Sequence, residues 1–331
     1  MTVPCVRVER EVGEETRRAL AERDLVDGTH EIVHDDGSLY IPVTDAEAVP
    51  GEFDVVNYDA PQRETQTMPD DLVAFDVSYE RIGDVVIVDE DNPERARELA
   101  DAIVASALPV RTVLNRASKI KGEQRVRDWE LLAGEDTEAV HREYGCEFAL
   151  DLAAVYFSPR LATERHRVIE QVEAGEQVLD MFAGVGPFVI PAAERGATAV
   201  GVDVNETAIQ YLRENAERNG VAGCVTAIYG DVRDVAADYA DWADRLVMNL
   251  PHSADEFLDI AVALAGEECT LHYYDIQHED DPFGPGEAAI QEAADAAGYG
   301  VEVLDRRAVR SYAPHELNVC LDVRVRRRDG G

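Results

Sequence analysis

The sequence predicts an α/β protein whose C-terminal half is a doubly wound, mostly parallel sheet, preceded by smaller α+β units. Three observations carry that reading. From Gln177 onward, short apolar runs alternate with stretches of helical spacing, as in successive βαβ units. One of those runs, 178–180, ends in a glycine-bearing turn that opens a helix. And 331 residues at 46% hydrophobic content suffice for one large core or two unequal ones.

Taken in order, residues 1–70 read as a separate small module. It holds a strand over 3–8, a helix over 16–25 and a hairpin through Asp35, Asp36 and Gly37 into Leu39, Tyr40 and Ile41. Residues 57–71 carry Pro61, Pro69 and many polar residues, and read as a linker. A second α+β unit is expected over 75–157, with strands at 74–77, 85–88 and 112–114. Its helix over 93–107 is capped by Asn92 before Pro93, and further strand-like runs lie at 147–150 and 153–157. The last domain, 158–331, reads as strands at 177–180, 199–203, 225–229, 245–248 and 270–274 separated by helices, closing with strands at 300–304 and 317–324.

No stretch approaches the ~20 apolar residues of a membrane span, and the N-terminus has no leader pattern, so a soluble cytoplasmic protein, expected to be a monomer, is implied. Five scattered cysteines without a C-x-x-C pair give neither a disulfide framework nor a thiolate metal site, and buried reduced thiols are expected. No metal is implied. The formal net charge is -37, yet the only two lysines are Lys119 and Lys121. Dense carboxylates with few lysines are the surface of a protein from a salt-loving organism, where self-repulsion is screened within a few Å. The acidity then reports the solvent rather than the ligand, and an RNA ligand would be held by hydrogen bonds, stacking and shape.

The strongest chemical signal is the run from Val178 through Asp180 and Gly184 to Gly186, Pro187 and Phe188. Two glycines clear the backbone for a ligand at a helix N-terminus. A dinucleotide site would want a third glycine, but position 189 is Val. Asp180 suits an ammonium better than a pyrophosphate. The next strand ends in Asp203, 17 residues past Gly186, where a carboxylate can accept both ribose hydroxyls. The third ends in Gly230, Asp231 and Val232, where an acid can accept from an adenine amino group. Three acids at three successive strand ends predict S-adenosylmethionine. The fourth strand runs into Asn249, Leu250 and Pro251, either a proline-stopped turn or, as in nucleic-acid amino-group methyltransferases that it resembles, a grip on a flipped base. His252 reads as a loop residue.

These motifs, with Tyr156 to Leu161, Glu164-Arg165 and the run Lys121 to Arg125, resemble over nearly the whole chain the archaeal and eukaryotic tRNA (guanine-37-N1)-methyltransferases. The resemblance implies a class I, Rossmann-like methyltransferase domain preceded by small α+β RNA-binding domains. The first module would contact the tRNA elbow, and the catalytic end the anticodon loop. Matching positions suggest Glu164 as general base, Arg125 on the guanine and Asn249 orienting the base edge. Arg165, Asp203, Val204, Asp231, Val232 and Asn249 match cofactor contacts. Tyr156 and Arg160 belong to a segment closing over the site, with Pro251 beside the base. Arg116, Lys119, Lys121, Arg125 and Arg127 form either an RNA-facing patch or a solvated turn, and the tail arginines from Arg324 to Arg328 serve either phosphate contact or solubility. Three rivals stand beside this reading: a wyosine-pathway transferase using the same cofactor, a nicotinamide-dependent oxidoreductase on the same sheet type, and a noncatalytic tRNA-binding protein with a vestigial pocket, against which the intact set of strand-end acids speaks.

Overall fold

In the computed structural model, which describes residues 2–63, 66–119, 122 and 126–328, the chain divides into units Met1–Leu72 and Val73–Gly331. In the first, strand β1 (Val3–Glu9) is followed by α1 (Gly13–Ala21), β2 (Val33–Asp35), β3 (Ser38–Pro42) and β4 (Asp54–Tyr58). The sheet order is β2-β3-β1-β4, antiparallel throughout. Asp36 and Gly37, both at positive φ, make the two-residue hairpin loop whose twist suits the flanking strands. Val6, Leu20, Ile41 and Val43 form the core. The linker expected from residue 57 starts later, because Asn57 and Tyr58 are paired with Pro4 and Val3.

The second unit opens with β5 (Tyr79–Ile82), β6 (Val85–Val88), α2 (Pro93–Ala105), β7 (Thr112–Arg116) and β8 (Trp129–Ala133), a four-stranded sheet. The Asn92 side chain accepts from the Glu94 and Arg95 N–H groups and caps α2, as the sequence implies. A hairpin of β9 (Glu138–Glu143) and β10 (Cys146–Asp151) follows. Two expected strands are absent. Residues 74–77 are irregular, and 153–157 form a turn and loop that buries Val155 and Phe157 and whose Ala154 carbonyl accepts from Asn205 Nδ2 at 2.8 Å.

Next come α3 (Ala162–Ile169), β11 (Gln177–Asp180), α4 (Val189–Glu194), β12 (Thr198–Asp203), α5 (Glu206–Arg218), β13 (Val225–Tyr229), α6 (Val232–Val235), β14 (Ala243–Met248), α7 (Leu258–Leu264), β15 (Ala265–His278), α8 (Gly284–Ala296), β16 (Tyr299–Ala313) and β17 (Glu316–Arg327). The seven-stranded order is β13-β12-β11-β14-β15-β17-β16, parallel from β13 to β15 and antiparallel at β17 and β16. The doubly wound α/β class read from the sequence is therefore the observed one. The chain winds outward from β11 in both directions, which leaves a crevice at the C-terminal ends of β11 and β14.

Residues 75–157 have a core of their own, where Val86, Val88, Leu99, Ile103 and Val113 pack between α2 and the four-stranded sheet, and share a second with the last domain. Ile82, Val85, Phe148 and Leu150 pack in one cluster with Val185, Ala208 and Leu212. Asn215 on α5 ties the pieces together: its side chain receives the Ala149 N–H and donates to the carbonyls of Ala149 and Val185. Four cysteines are buried as expected, but Cys224 is exposed.

Candidate active site

The crevice is an open cleft at the carboxyl ends of the strands, the place in a doubly wound sheet where ligands bind. Of the residues singled out from the sequence, Tyr156, Arg165, Gly184, Asp203, Val204, Asp231, Val232, Asn249 and Pro251 all line it. They come from five separate segments, brought together at the strand ends.

The turn after β11 is fixed by backbone bonds from Met181 N–H to the Val247 carbonyl and from Ala183 N–H to the Val202 carbonyl. Gly184 stands at φ +53° with its open side to the cleft, since an added Cβ would come no nearer than 4.0 Å to any atom. Gly186 differs from expectation. It does not line the cleft, and at φ +92° a Cβ there would lie 2.3 Å from Leu212 Cδ1, so it is a packing glycine between the turn and α5. Gly186→Ala is expected to lower unfolding free energy by about 2–4 kcal/mol, overpacking plus left-handed strain, read by denaturant titration.

The three acids have different surroundings. Asp180 is 1% exposed and lies under the turn rather than on the cleft surface. Its carboxylate accepts the Phe182 N–H at 3.0 Å, and burial, aided by the neighbouring Asp203 charge, pushes its pKa up to about 7. No cation pairs with it among the described residues. Asp203 accepts from the N–H groups of Gly184 (2.7 Å) and Asn205 (2.8 Å), which opposes a burial that still raises its pKa. Each of its oxygens keeps a lone pair for the cleft. Asp231 caps α6 and is ion-paired with Arg233, which holds its carboxyl below the usual range. Arg233 in turn lies over Phe257, 4.8 Å from the ring centre, and Phe257 meets Phe182 edge-on at 5.0 Å. Phe182, Val204, Val232, Leu250 and Phe257 thus form an apolar slot between the carboxylates of Asp203 and Asp231. A ribose against the first and a flat heterocycle in the slot fit that donor set.

Opposite the slot, Arg165 donates to Glu143 and to the Ser158 carbonyl and stacks on Phe157, so its guanidinium holds the 156–158 segment against the cleft. Asn249 and Pro251 follow β14, and the Pro251 carbonyl receives the Ile276 N–H at 3.1 Å. The Asn249 side chain bonds to none of the described residues, which leaves its amide for a ligand.

Glu164 does not line the cleft. Its carboxylate is bidentate with Arg167 (2.9 and 2.7 Å) and accepts from the Tyr274 hydroxyl at 3.0 Å. Arg167 continues to Asp322, which takes the ring N–H of His272. Arg160 likewise lies outside the cleft, paired with Glu80 and lining an adjoining cavity with Arg116 and Arg127. Lys119 is exposed, whereas Lys121 and Arg125 lie outside the described residues. His252 is not a bare loop residue: it meets Tyr312, with the hydroxyl 3.1 Å from Nε2. The tail arginines from Arg324 to Arg328 pair with Glu268, Glu302, Asp241 and Asp295. Sequence reasoning missed Arg310, Tyr312 and Asn318, which the hairpin of β16 and β17 brings to the cleft. No local motif marks them.

Comparison with known proteins finds relatives over nearly the whole chain. Residues 139–303 match the TRM5/TYW2 methyltransferase domain, 5–49 the tRNA methyltransferase 5 N-terminal domain and 65–137 the TYW2 N-terminal domain. The chain is 40% identical to the tRNA (guanine(37)-N(1))-methyltransferase Trm5b of Pyrococcus abyssi, covering 97% of this chain and 98% of that one. It is 32% identical to a tRNA(Phe) (4-demethylwyosine(37)-C(7)) aminocarboxypropyltransferase of Methanocaldococcus jannaschii, over 76% of this chain and 99% of that one. A solved complex of aTrm5 with tRNALeu superimposes with a TM-score of 0.73 at 32% identity, covering 97% of this chain and 99% of that one. The cofactor is S-adenosylmethionine. Matched by the methyltransferase-domain model over residues 139–303 and 40% identical to Trm5b over 97% of its length, the chain belongs to the TRM5/TYW2 methyltransferase family.

Proposed function

We propose that this enzyme transfers the methyl group of S-adenosylmethionine to N1 of the guanosine at position 37 of tRNA. The observation that carries the reading is the convergence of Asp203, Asp231 and Asn249 on one cleft, in a chain that matches Trm5b over 97% of its length but the aminocarboxypropyltransferase over only 76%. The oxidoreductase alternative falls with the family.

S-adenosylmethionine supplies an electrophilic methyl on a sulfonium. This chain's residues do the rest. Asp203 binds the ribose hydroxyls, Asp231 and the Val232 N–H hold the adenine edge, and Phe182 and Phe257 exclude water from the slot. Guanine N1 carries a proton and its lone pair is delocalised, so a base removes that proton as N1 attacks the methyl carbon and the C–S bond electrons return to sulfur. Glu164 is the candidate base and Asn249 the group that orients the base edge. Tyr156 and Pro251 flank the incoming ring, which must leave the anticodon-loop stack to arrive. Likeness to aTrm5, solved in complex with tRNALeu, supports tRNA as the substrate; in this reading the N-terminal module contacts the elbow, the catalytic domain takes the anticodon loop, and the enzyme is a cytoplasmic monomer. None of the described helices is long and apolar enough to cross a membrane.

The test is a nucleoside digest with mass analysis after incubation with S-adenosylmethionine and unmodified tRNA bearing G37. A gain of one methyl as 1-methylguanosine is expected, and Asn249→Ala should lower its rate by about 10²–10³-fold, the scale of one lost transition-state hydrogen bond in a dry site. An aminocarboxypropyl adduct, or reaction only on a tricyclic base, would overturn the reaction while keeping the cofactor.

A further inference from the structure

The long hairpin at the sheet edge places polar groups where the substrate must enter. In register, Asn318 on β17 faces Arg310 on β16 on one side and Ile276 on β15 on the other. Directly opposed positions of antiparallel strands share a face, and all three side chains line the cleft with Asn249 and Pro251. Asn318 is 2% exposed, yet its amide oxygen has no hydrogen-bond partner among the described residues, and neither has Nε of the half-buried Arg310. A buried polar atom left unmet costs about 1–3 kcal/mol, so an orphaned acceptor and an orphaned donor side by side need an explanation.

Charge sharpens the point. This chain has 68 acidic residues for 31 basic ones, and the neighbouring hairpin arginines are paired: Arg306 with Glu287, and Arg307 with Asp305 and Glu164. Arg310 pairs with no carboxylate among the described residues. A guanidinium kept free in so acidic a protein, beside a buried amide and inside the cleft, is placed for a ligand with a complementary edge.

We propose that Arg310 and Asn318 read the Watson–Crick edge of the target guanine, an inference that rests on the methyl-transfer reading above. Arg310 donates to O6, and the Asn318 amide oxygen accepts from the exocyclic N2 amino group. When the N1 proton leaves, the negative charge shifts onto O6, so the same Arg310 contact is stronger in the transition state than in the ground state. Adenine would turn an amino donor toward Arg310 and is rejected by donor against donor. Inosine keeps O6 and lacks N2, so it separates the two roles.

The experiment measures steady-state methylation of full-length tRNA transcripts carrying guanosine or inosine at position 37, by wild type, Asn318→Ala, Arg310→Gln and Arg310→Lys, with S-adenosylmethionine affinity and melting temperature taken on each protein. If Asn318→Ala melts early, Asn318→Ser replaces it. Wild type is expected to prefer guanosine at least tenfold in kcat/KM, and Asn318→Ala to bring that ratio close to one. Arg310→Gln should lower kcat by about 10²-fold at neutral pH, with the deficit shrinking as pH rises and N1 ionises unaided, and Arg310→Lys should restore part of the rate. Cofactor affinity should stay within twofold throughout. An unchanged guanosine-to-inosine ratio in Asn318→Ala, or an Arg310→Gln deficit that is the same at every pH, would overturn the assignment. A wild-type enzyme that binds the cofactor but methylates neither base would overturn the functional reading and this inference with it.

Discussion

Glu164→Gln is expected to lower the rate of methyl transfer by about 10²–10⁴-fold at neutral pH, the range for a lost general base, and to regain much of it toward alkaline pH. The structure makes this a sharper test than usual. Both Glu164 oxygens are engaged, by Arg167 and by the Tyr274 hydroxyl, and the side chain stands behind the cleft rather than in it. For the carboxylate to take the N1 proton it must exchange the Arg167 contact for the substrate. Arg167 can release it without being stranded, because Asp322 holds the same guanidinium at 2.5 and 3.1 Å. Such engagement does not disqualify a base, since catalytic hydrogen bonds often form only in the complex with substrate. Gln keeps an acceptor for Tyr274 and donors and acceptors for the pocket, so the fold is retained and a melting curve checks it. A pure positioning role would give a deficit that no pH repairs. A base role gives one that fades once N1 ionises in solution, and a pH–rate profile of the variant separates the two.

The parallel half of the fold was legible because β11, β12 and β14 are covered on both faces and so read as apolar runs, ending in Asp180, Asp203 and, just past β14, Asn249. Strands held by their ladders rather than by their side chains were not. β9 buries little beyond Ala139 and is carried by β10, while the distal half of β16, from Asp305 to Ala313, has mostly exposed side chains and persists through pairing with β17. The same distinction governs the site. Asp203, Asp231 and Asn249 sit at strand ends where a local motif marks the position. Arg310, Tyr312 and Asn318 depend on a hairpin register no local pattern sets, and of the groups linked to Glu164 only Arg167 is local, Tyr274 and Asp322 being more than a hundred positions away. Gly186 shows the converse: a motif glycine read as a ligand contact is required instead by Leu212.

Asp180→Asn should weaken S-adenosylmethionine binding while raising the stability of the fold. A carboxylate with a pKa of about 7 in the fold, raised mainly by burial, favours its proton in the native state. Its folded value is above its unfolded one, so its contribution to stability is fully present below the unfolded pKa and is lost as pH rises through 7. The cost above that pH is on the order of a few kcal/mol. Asn keeps the acceptor for the Phe182 N–H and carries no charge, so the variant should melt above wild type at pH 8, with a gain that shrinks as the pH falls toward 4. Binding should move the other way. The cofactor brings an ammonium and a sulfonium, and two unit charges ~6–8 Å apart attract by about 2–3 kcal/mol at an effective dielectric of ~20, which predicts a 30- to 100-fold rise in Kd on substitution. Wild-type affinity should then fall as pH drops below 7, with proton release on binding, and both effects should vanish in Asp180→Asn. Calorimetric titration at pH 6 and 8 in two buffers of different ionisation enthalpy reads both. If wild type binds equally at the two pH values and releases no proton, Asp180 is a structural acid that shapes the turn through Phe182 alone, and the ammonium must be held by other groups of the cleft.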